Sequence, residues 1–136
     1  NHAGMIGNVT VLEPAQYQAW LQGGGEGGTM AQRGARLFEA HACNSCHLPG
    51  GPANGTGLFL TDTATSYAGL VGRGSRLRPG ETLVIPGDPD NSYLVRKLEG
   101  GPNINGLRMP RNTGPFLTDG QMLVIRRWIA AGAAND

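Results

Sequence analysis

The residues best placed to do chemistry are the two cysteines of the chain, which stand in the stretch HACNSCHLPG as Cys43 and Cys46. His47 follows the second cysteine directly. The pattern C-x-x-C-H is the attachment signature of c-type haem. Two thiols about one helical turn apart can form thioethers with the two vinyl groups of the porphyrin, and the adjacent imidazole can then bind the iron. The sequence therefore predicts one covalent haem c, attached at Cys43 and Cys46 and ligated by His47.

Two other sites use closely spaced cysteines, a zinc site and a redox-active disulfide. A zinc site needs a second pair of ligands, and His2 and His41 do not supply one at a suitable spacing. A thioredoxin-like disulfide needs a surrounding βαβ pattern, which is not visible in the sequence. Neither site requires His47, so we favour haem.

The second axial ligand of the iron has several candidates, of which Met109 is the best. Met109 lies in the loop NINGLRMPRNTGPFLT, where a side chain can point inward without helical constraint, and Pro110 restricts Met109 to extended geometry. A thioether ligand favours ferrous iron and closes the site to gas binding or peroxide chemistry. The alternative role for Met109 is to fill a gap in the core. The less favoured candidates lie in the predicted first and last helices or beyond a glycine-rich linker: Met30, Met122, His41, His2 and Met5.

Composition limits the remaining possibilities. The 136 residues suffice for one compact domain, and a net charge of +1 with 15% charged residues gives no field that favours nucleic acid or anionic membranes. Aromatic residues make up only 6%, which is few for a core of this size unless a cofactor fills part of it. No apolar run approaches the ~20 residues that cross a bilayer, so we expect any export signal or anchor to lie outside the given residues.

Glycines divide the chain. Residues 23–28 are five glycines around Glu26, which predicts a flexible linker between residues 1–22 and a unit of residues 29–136. Thr29 with Gln32 forms a capping box that opens a first helix, and this helix is expected to continue into the haem motif. Gly34 inside it suggests close backbone packing.

The last helix has the same signals. A second capping box at Thr118 and Gln121 opens it, Leu117 and Met122 can form a hydrophobic staple, and Gly132 is a plausible stop. One apolar stripe follows helical spacing: Met122, Ile125, Trp128 and Ile129.

Between these helices the sequence predicts a short helix over residues 64–71 and another opened by Asp88 as cap with Pro89 in first position. Thr82 to Ile85 is the single strand-like run, too short for a sheet. The fold class is therefore mostly α with long loops.

From Thr29 to Asp136 the chain resembles a class I cytochrome c. The shared features are G-x-x-x-F in the first helix (Gly34, Phe38), C-x-x-C-H, a Met-Pro loop and an aromatic in the last helix (Trp128). The resemblance implies a class I cytochrome c fold around one haem, with Gly34, Phe38 and Trp128 meeting where the two helices cross. In that family a G-P-x-L stretch supplies the carbonyl that holds the proximal imidazole. Here GPANGTGLFL is ambiguous, so the residue that accepts the His47 proton is left open.

Residues 1–22 resemble the end of subunit II of haem–copper oxidases, whose C-x-x-x-C-x-x-x-H-x-x-M motif binds the dinuclear copper centre CuA. His2 and Met5 match the last two ligands, and V-x-V-x-x-P-x-x-Y-x-x-W matches the closing strand and helix of that cupredoxin-like domain. The two cysteine ligands are not in this chain, so His2 and Met5 form no centre here. A CuA domain, a glycine-rich linker and a cytochrome c domain together resemble subunit II of caa3-type cytochrome c oxidases.

The resemblance implies a one-electron carrier that accepts electrons from a soluble donor, such as a small cytochrome c, and passes them to CuA and the other oxidase subunits. It implies a location on the outer face of the cytoplasmic membrane, where the parent complex is anchored, and an oxygen-reducing parent enzyme, although the domain alone carries electrons. The rival interpretations are a free-standing periplasmic class I cytochrome c and an open-site haem enzyme or sensor.

The charges of the chain and one strand-like segment near its start give further expectations. Residues 29–136 hold 11 basic and 8 acidic residues, which favours docking through apolar and weakly polar contacts at a haem edge near the cysteines and the Met109 loop. Arg73, Arg76 and Arg78 cluster, and one of them is a candidate partner for a haem propionate.

The strand Gly7 to Leu12 is expected to pair with Thr82 to Ile85 or with a neighbouring molecule.

Overall fold

A computed structural model describes residues 28–111 and 115–136, together with positions 11, 13 and 14. His2 and Met5, which match copper ligands by resemblance, lie outside the described residues, as do the predicted linker up to position 27 and all of the predicted strand 7–12 except Val11. The side chain of Val11 is 91% exposed.

The described residues form four α-helices: α1 (Met30–Ala40), α2 (Thr63–Leu70), α3 (Tyr93–Glu99) and α4 (Asp119–Ala130). Two 3₁₀ turns, Cys43–Ser45 and Asn54–Thr56, lie between α1 and α2. Isolated bridges, such as Val71 with Val84 and Gly74 with Thr82, take the place of strands in this part of the chain. The prediction of a mostly α-helical unit with long loops is confirmed. No helix in the described ranges combines the length and apolar character that crossing a membrane requires.

Both capping boxes are present. Thr29 Oγ1 accepts from the Gln32 N–H, and the Gln32 side chain accepts in turn from the Thr29 N–H. The first helix ends earlier than predicted, because α1 stops at Ala40 and Ala42 adopts a left-handed conformation with φ of 49°. The C-x-x-C-H motif therefore begins in a 3₁₀ turn and not in the helix.

The last helix follows its prediction closely. The predicted stripe of Met122, Ile125, Trp128 and Ile129 is buried. At the end of α4 the Gly132 N–H donates to the Ile129 carbonyl and the next N–H donates to the Trp128 carbonyl. This is the Schellman arrangement, with Gly132 at φ of 101°. Gly132 thus ends the helix as predicted.

The start of α3 was predicted wrongly. Asp88 does not cap it; the Asp88 side chain instead accepts from the Asn91 N–H and closes a turn ahead of the helix. The helix begins at Tyr93, after the fully buried Ser92. The Ser92 hydroxyl donates to the Asp88 carbonyl and accepts from the Ile85 N–H, so it ties this turn to the preceding loop. Helix α2 starts at Thr63 with Asp62 as cap, one residue from its predicted start.

Helices α1, α3 and α4 surround the core, and α1 packs against α4. Gly34 is buried, yet a Cβ atom built on it would meet no atom of another element within 4 Å. The predicted close backbone packing at Gly34 is therefore wrong. Gly34, Phe38 and Trp128, which were expected to meet where these helices cross, line one cavity of about 240 Å³ between α1, α2 and α4.

Candidate haem-binding site

The four predicted site residues, Cys43, Cys46, His47 and Met109, line one cavity of about 470 Å³. Its walls come from the 3₁₀ turn after α1, the loops ahead of α2 and α3, the face of α3 and the loop that follows α3. Cofactor sites in proteins have volumes of about 300 to 1,000 Å³ and mostly apolar walls. The apolar part of this wall includes Phe38, Leu58, Leu60, Leu83, Leu94 and Leu98.

The two cysteines are free thiols in a half-buried setting. Burial raises the pKa of the Cys43 thiol to about 11, so this thiol stays protonated at neutral pH. Cysteines of redox-active C-x-x-C motifs have lowered pKa values, because the thiolate is the reactive form. Cys43 therefore lacks the activated thiol that such motifs use.

His47 is oriented by a backbone carbonyl. Its Nδ1 lies 3.2 Å from the Leu58 oxygen, and because a carbonyl can only accept, Nδ1 is the nitrogen that donates. Burial lowers the pKa of the His47 imidazole, which favours the neutral ring. A neutral imidazole that donates from Nδ1 leaves the Nε2 lone pair free for a metal ion, which is the arrangement that metal-ligating histidines adopt.

Leu58 is thus the acceptor that the sequence left open. The Leu58 N–H donates to the Thr56 hydroxyl, and the Leu60 N–H donates to the His47 carbonyl, so residues 56–60 run back along the haem motif. Leu58 belongs to the ambiguous GPANGTGLFL stretch. Its role depends on this return path of the chain, for which the sequence carries no local signal.

The competing candidates for the second axial position lie elsewhere. Met122 is 5% exposed and belongs to the core. Met30 packs at the edge of the same core, and the His41 Nε2 is 3.2 Å from the Gln121 side-chain oxygen between α1 and α4. Among the described candidates, Met109 alone lines the cavity of the two cysteines and His47.

The charges at this cavity have one sign. Arg76, Lys97 and Arg111 line it, and within the described ranges no aspartate or glutamate does. Burial, together with the nearby Arg111, lowers the pKa of Lys97. Of the predicted arginine cluster only Arg76 reaches the cavity; the Arg78 Nε is instead 3.9 Å from the Glu81 carboxylate. A ligand with an apolar body and carboxylate groups fits these walls.

In the described part of the chain, no group of three or more histidine, cysteine, aspartate or glutamate side chains is arranged to hold a metal ion by itself. Comparison of the chain with protein-family models, with curated proteins and with solved structures gave no match.

Proposed function

We propose that residues 29–136 form an electron-transfer domain with the class I cytochrome c fold and one covalent haem c. The observation that carries the proposal is the convergence of Cys43, Cys46, His47 and Met109 on one largely apolar cavity. The hydrogen bond from His47 Nδ1 to the Leu58 carbonyl adds support, because it presents Nε2 for ligation.

Each residue has a defined role in this proposal. Cys43 and Cys46 would provide the thioether sulfurs that attach the haem, and His47 Nε2 and the Met109 sulfur would bind its iron. The haem, when bound, supplies a centre that gains and loses one electron. The chain would keep water away from the haem and hold His47 and Met109 in place.

We assign the carboxylate groups of the haem to the cationic residues of the cavity wall. Arg76 and Arg111 lie there, and charge-assisted hydrogen bonds from arginine to carboxylate are stronger than neutral ones. Arg76 is held close to the backbone, since a Cβ atom at Gly57 would lie 2.5 Å from its guanidinium. Gly57 also has φ of +67°, so two constraints favour glycine beneath Arg76.

The wider role proposed for the chain is that of the cytochrome c domain in subunit II of a caa3-type oxidase. It would take electrons from a soluble donor and pass them to the CuA centre at the outer face of the cytoplasmic membrane. The support for this role is the CuA-like pattern of residues 1–22, which a free-standing carrier leaves unexplained.

Substitution of the axial methionine tests the proposal. In haem-loaded protein, Met109→Ala is expected to abolish the red-region sulfur-to-iron charge-transfer band, lower the reduction potential and allow carbon monoxide to bind the ferrous form. Met30→Ala is the matched control, because Met30 packs at the core edge outside the cavity. An unchanged spectrum and potential in Met109→Ala would show that Met109 is not the ligand.

A further inference from the structure

The loop that carries Met109 is hydrogen-bonded to α3 through Asn105. The Asn105 N–H donates to the Tyr93 hydroxyl oxygen at 2.8 Å, and its carbonyl accepts from the Lys97 ammonium. The Asn105 side-chain amide donates to the Leu77 carbonyl at 3.0 Å, which joins the same loop to the segment ahead of α3. We call these four residues, Leu77, Tyr93, Lys97 and Asn105, the Asn105 clasp.

Helix α3 also holds the far end of this loop. The Met109 N–H donates to the Lys97 carbonyl at 3.0 Å, so Lys97 contacts the loop through both its side chain and its backbone. The Arg108 Nε donates to the Leu98 carbonyl at 2.7 Å, and its guanidinium lies 4.0 Å from the centre of the Phe116 ring. Helix α3 thus holds the loop at Asn105, at Arg108 and at the backbone of Met109 itself.

Two side chains of α3 make the bonds to the Asn105 backbone. Tyr93 and Lys97 are one helical turn apart on α3, and both line the haem cavity. Lys97 is the single lysine of the chain. Tyr93 is 5% exposed, so its hydroxyl bonds Asn105 away from competing water.

We propose that the Asn105 clasp controls whether Met109 occupies the second axial position, and thereby whether outside ligands reach the haem iron. The proposal rests on the function proposed above. An outside ligand can bind only when Met109 withdraws, and the loop must release its bonds to α3 for that to happen. Tyr93 and Lys97 are therefore positioning residues, which favour electron transfer over ligand binding.

Imidazole titration of the haem-loaded ferric protein tests the proposal. Tyr93→Phe keeps the ring and removes the acceptor for the Asn105 N–H, and Lys97→Leu keeps part of the aliphatic stem and removes the ammonium. Since a lost hydrogen bond raises the population of the open loop, each variant is expected to bind imidazole about three- to tenfold more tightly than wild type. Lys97→Arg keeps the charge and is expected to restore most of the wild-type affinity.

Two variants provide matched controls. Tyr67→Phe makes the same chemical change on α2, at the cavity between α1, α2 and α4, and Arg73→Met removes an exposed charge outside the haem cavity. Both are expected to bind imidazole as wild type does. Thermal unfolding of every variant separates a loosened loop from a general loss of stability.

The outcomes distinguish this proposal from the one on which it rests. Imidazole affinity that is wild-type in Tyr93→Phe and Lys97→Leu, but raised in Met109→Ala, overturns the clasp and leaves the ligand assignment standing. Equal affinity in wild type and Met109→Ala overturns the assignment of Met109, and the clasp with it. A raised affinity in Tyr67→Phe as large as that in Tyr93→Phe also overturns the clasp, because the effect would then be general.

Discussion

Replacing Gly34 by alanine tests how closely α1 packs against α4. A glycine in the interior of a helix costs stability relative to alanine, unless a neighbouring element leaves no room for a methyl group. The Cβ position at Gly34 meets no atom of another element within 4 Å, because it faces the cavity between α1, α2 and α4. The substitution therefore gains helix propensity without steric cost.

The size of the gain follows from that geometry. Alanine is favoured over glycine in a helix interior by about 1 kcal/mol. We expect Gly34→Ala to raise the free energy of unfolding by about 1 kcal/mol and the melting temperature by about 4 °C. Urea unfolding followed by circular dichroism measures both the midpoint and the slope of the transition.

Gly69→Ala is the matched control within the chain. Gly69 also lies in a helix, α2, but its Cβ position is 3.2 Å from the Leu58 side chain. The propensity gain is then offset by crowding, so Gly69→Ala is expected to gain less than Gly34→Ala. A loss of 1 kcal/mol or more in Gly34→Ala would refute the reasoning, since it would mean that the two helices touch at Gly34 as the cytochrome c resemblance implies.

Three further substitutions give separate tests. Gly51→Ala places a Cβ atom 2.7 Å from the Cys46 carbonyl oxygen. The substitution is therefore expected to lower the free energy of unfolding in urea by about 1 to 3 kcal/mol. An unchanged free energy of unfolding would contradict this close approach. Arg76→Gln is expected to lower the reduction potential of the haem-loaded protein by roughly 40 mV, the equivalent of about 1 kcal/mol. Arg73→Gln, the control, is expected to leave the potential unchanged. Equal shifts in the two variants would argue against a specific contact between Arg76 and a haem carboxylate. Hydrogen bonds from the first turn of α2 hold the pKa of the Asp62 carboxyl below its usual range. Its contribution to stability is complete above the ordinary carboxyl pKa and is lost as pH falls through the lowered value, so Asp62→Asn is expected to flatten the acid side of a circular dichroism pH titration.

Local signals predicted the helices that frame the site. The capping boxes at Thr29 and Thr118 are complete within four residues, and both helices begin where these signals place them. The start of α3 could not be obtained in this way, because Asp88 has two local options, a helix cap or a turn. The buried Ser92, bonded to the loop before it, decides between them.

The residues of the candidate site also fall into two groups, those that local sequence identifies and those that it does not. The spacing of Cys43, Cys46 and His47 is local, so the sequence identifies these residues together. Leu58, Lys97 and Asn105 enter the site through bonds to residues 8 to 28 positions away, and single positions in the sequence do not reveal such partners. Gly34 shows the opposite failure, since a glycine inside a helix predicted close backbone packing, whereas the space around its Cβ position is open.

The central claim is that haem is bound covalently through Cys43 and Cys46. The most direct measurement is the mass of the denatured chain after expression with a c-type haem attachment system, followed by extraction into acidified organic solvent. The account predicts a polypeptide heavier by one haem that keeps its colour through extraction, and a Cys43→Ser, Cys46→Ser double variant that loses both. A chain with the mass of its amino acids alone, or haem that leaves with the solvent, would contradict it.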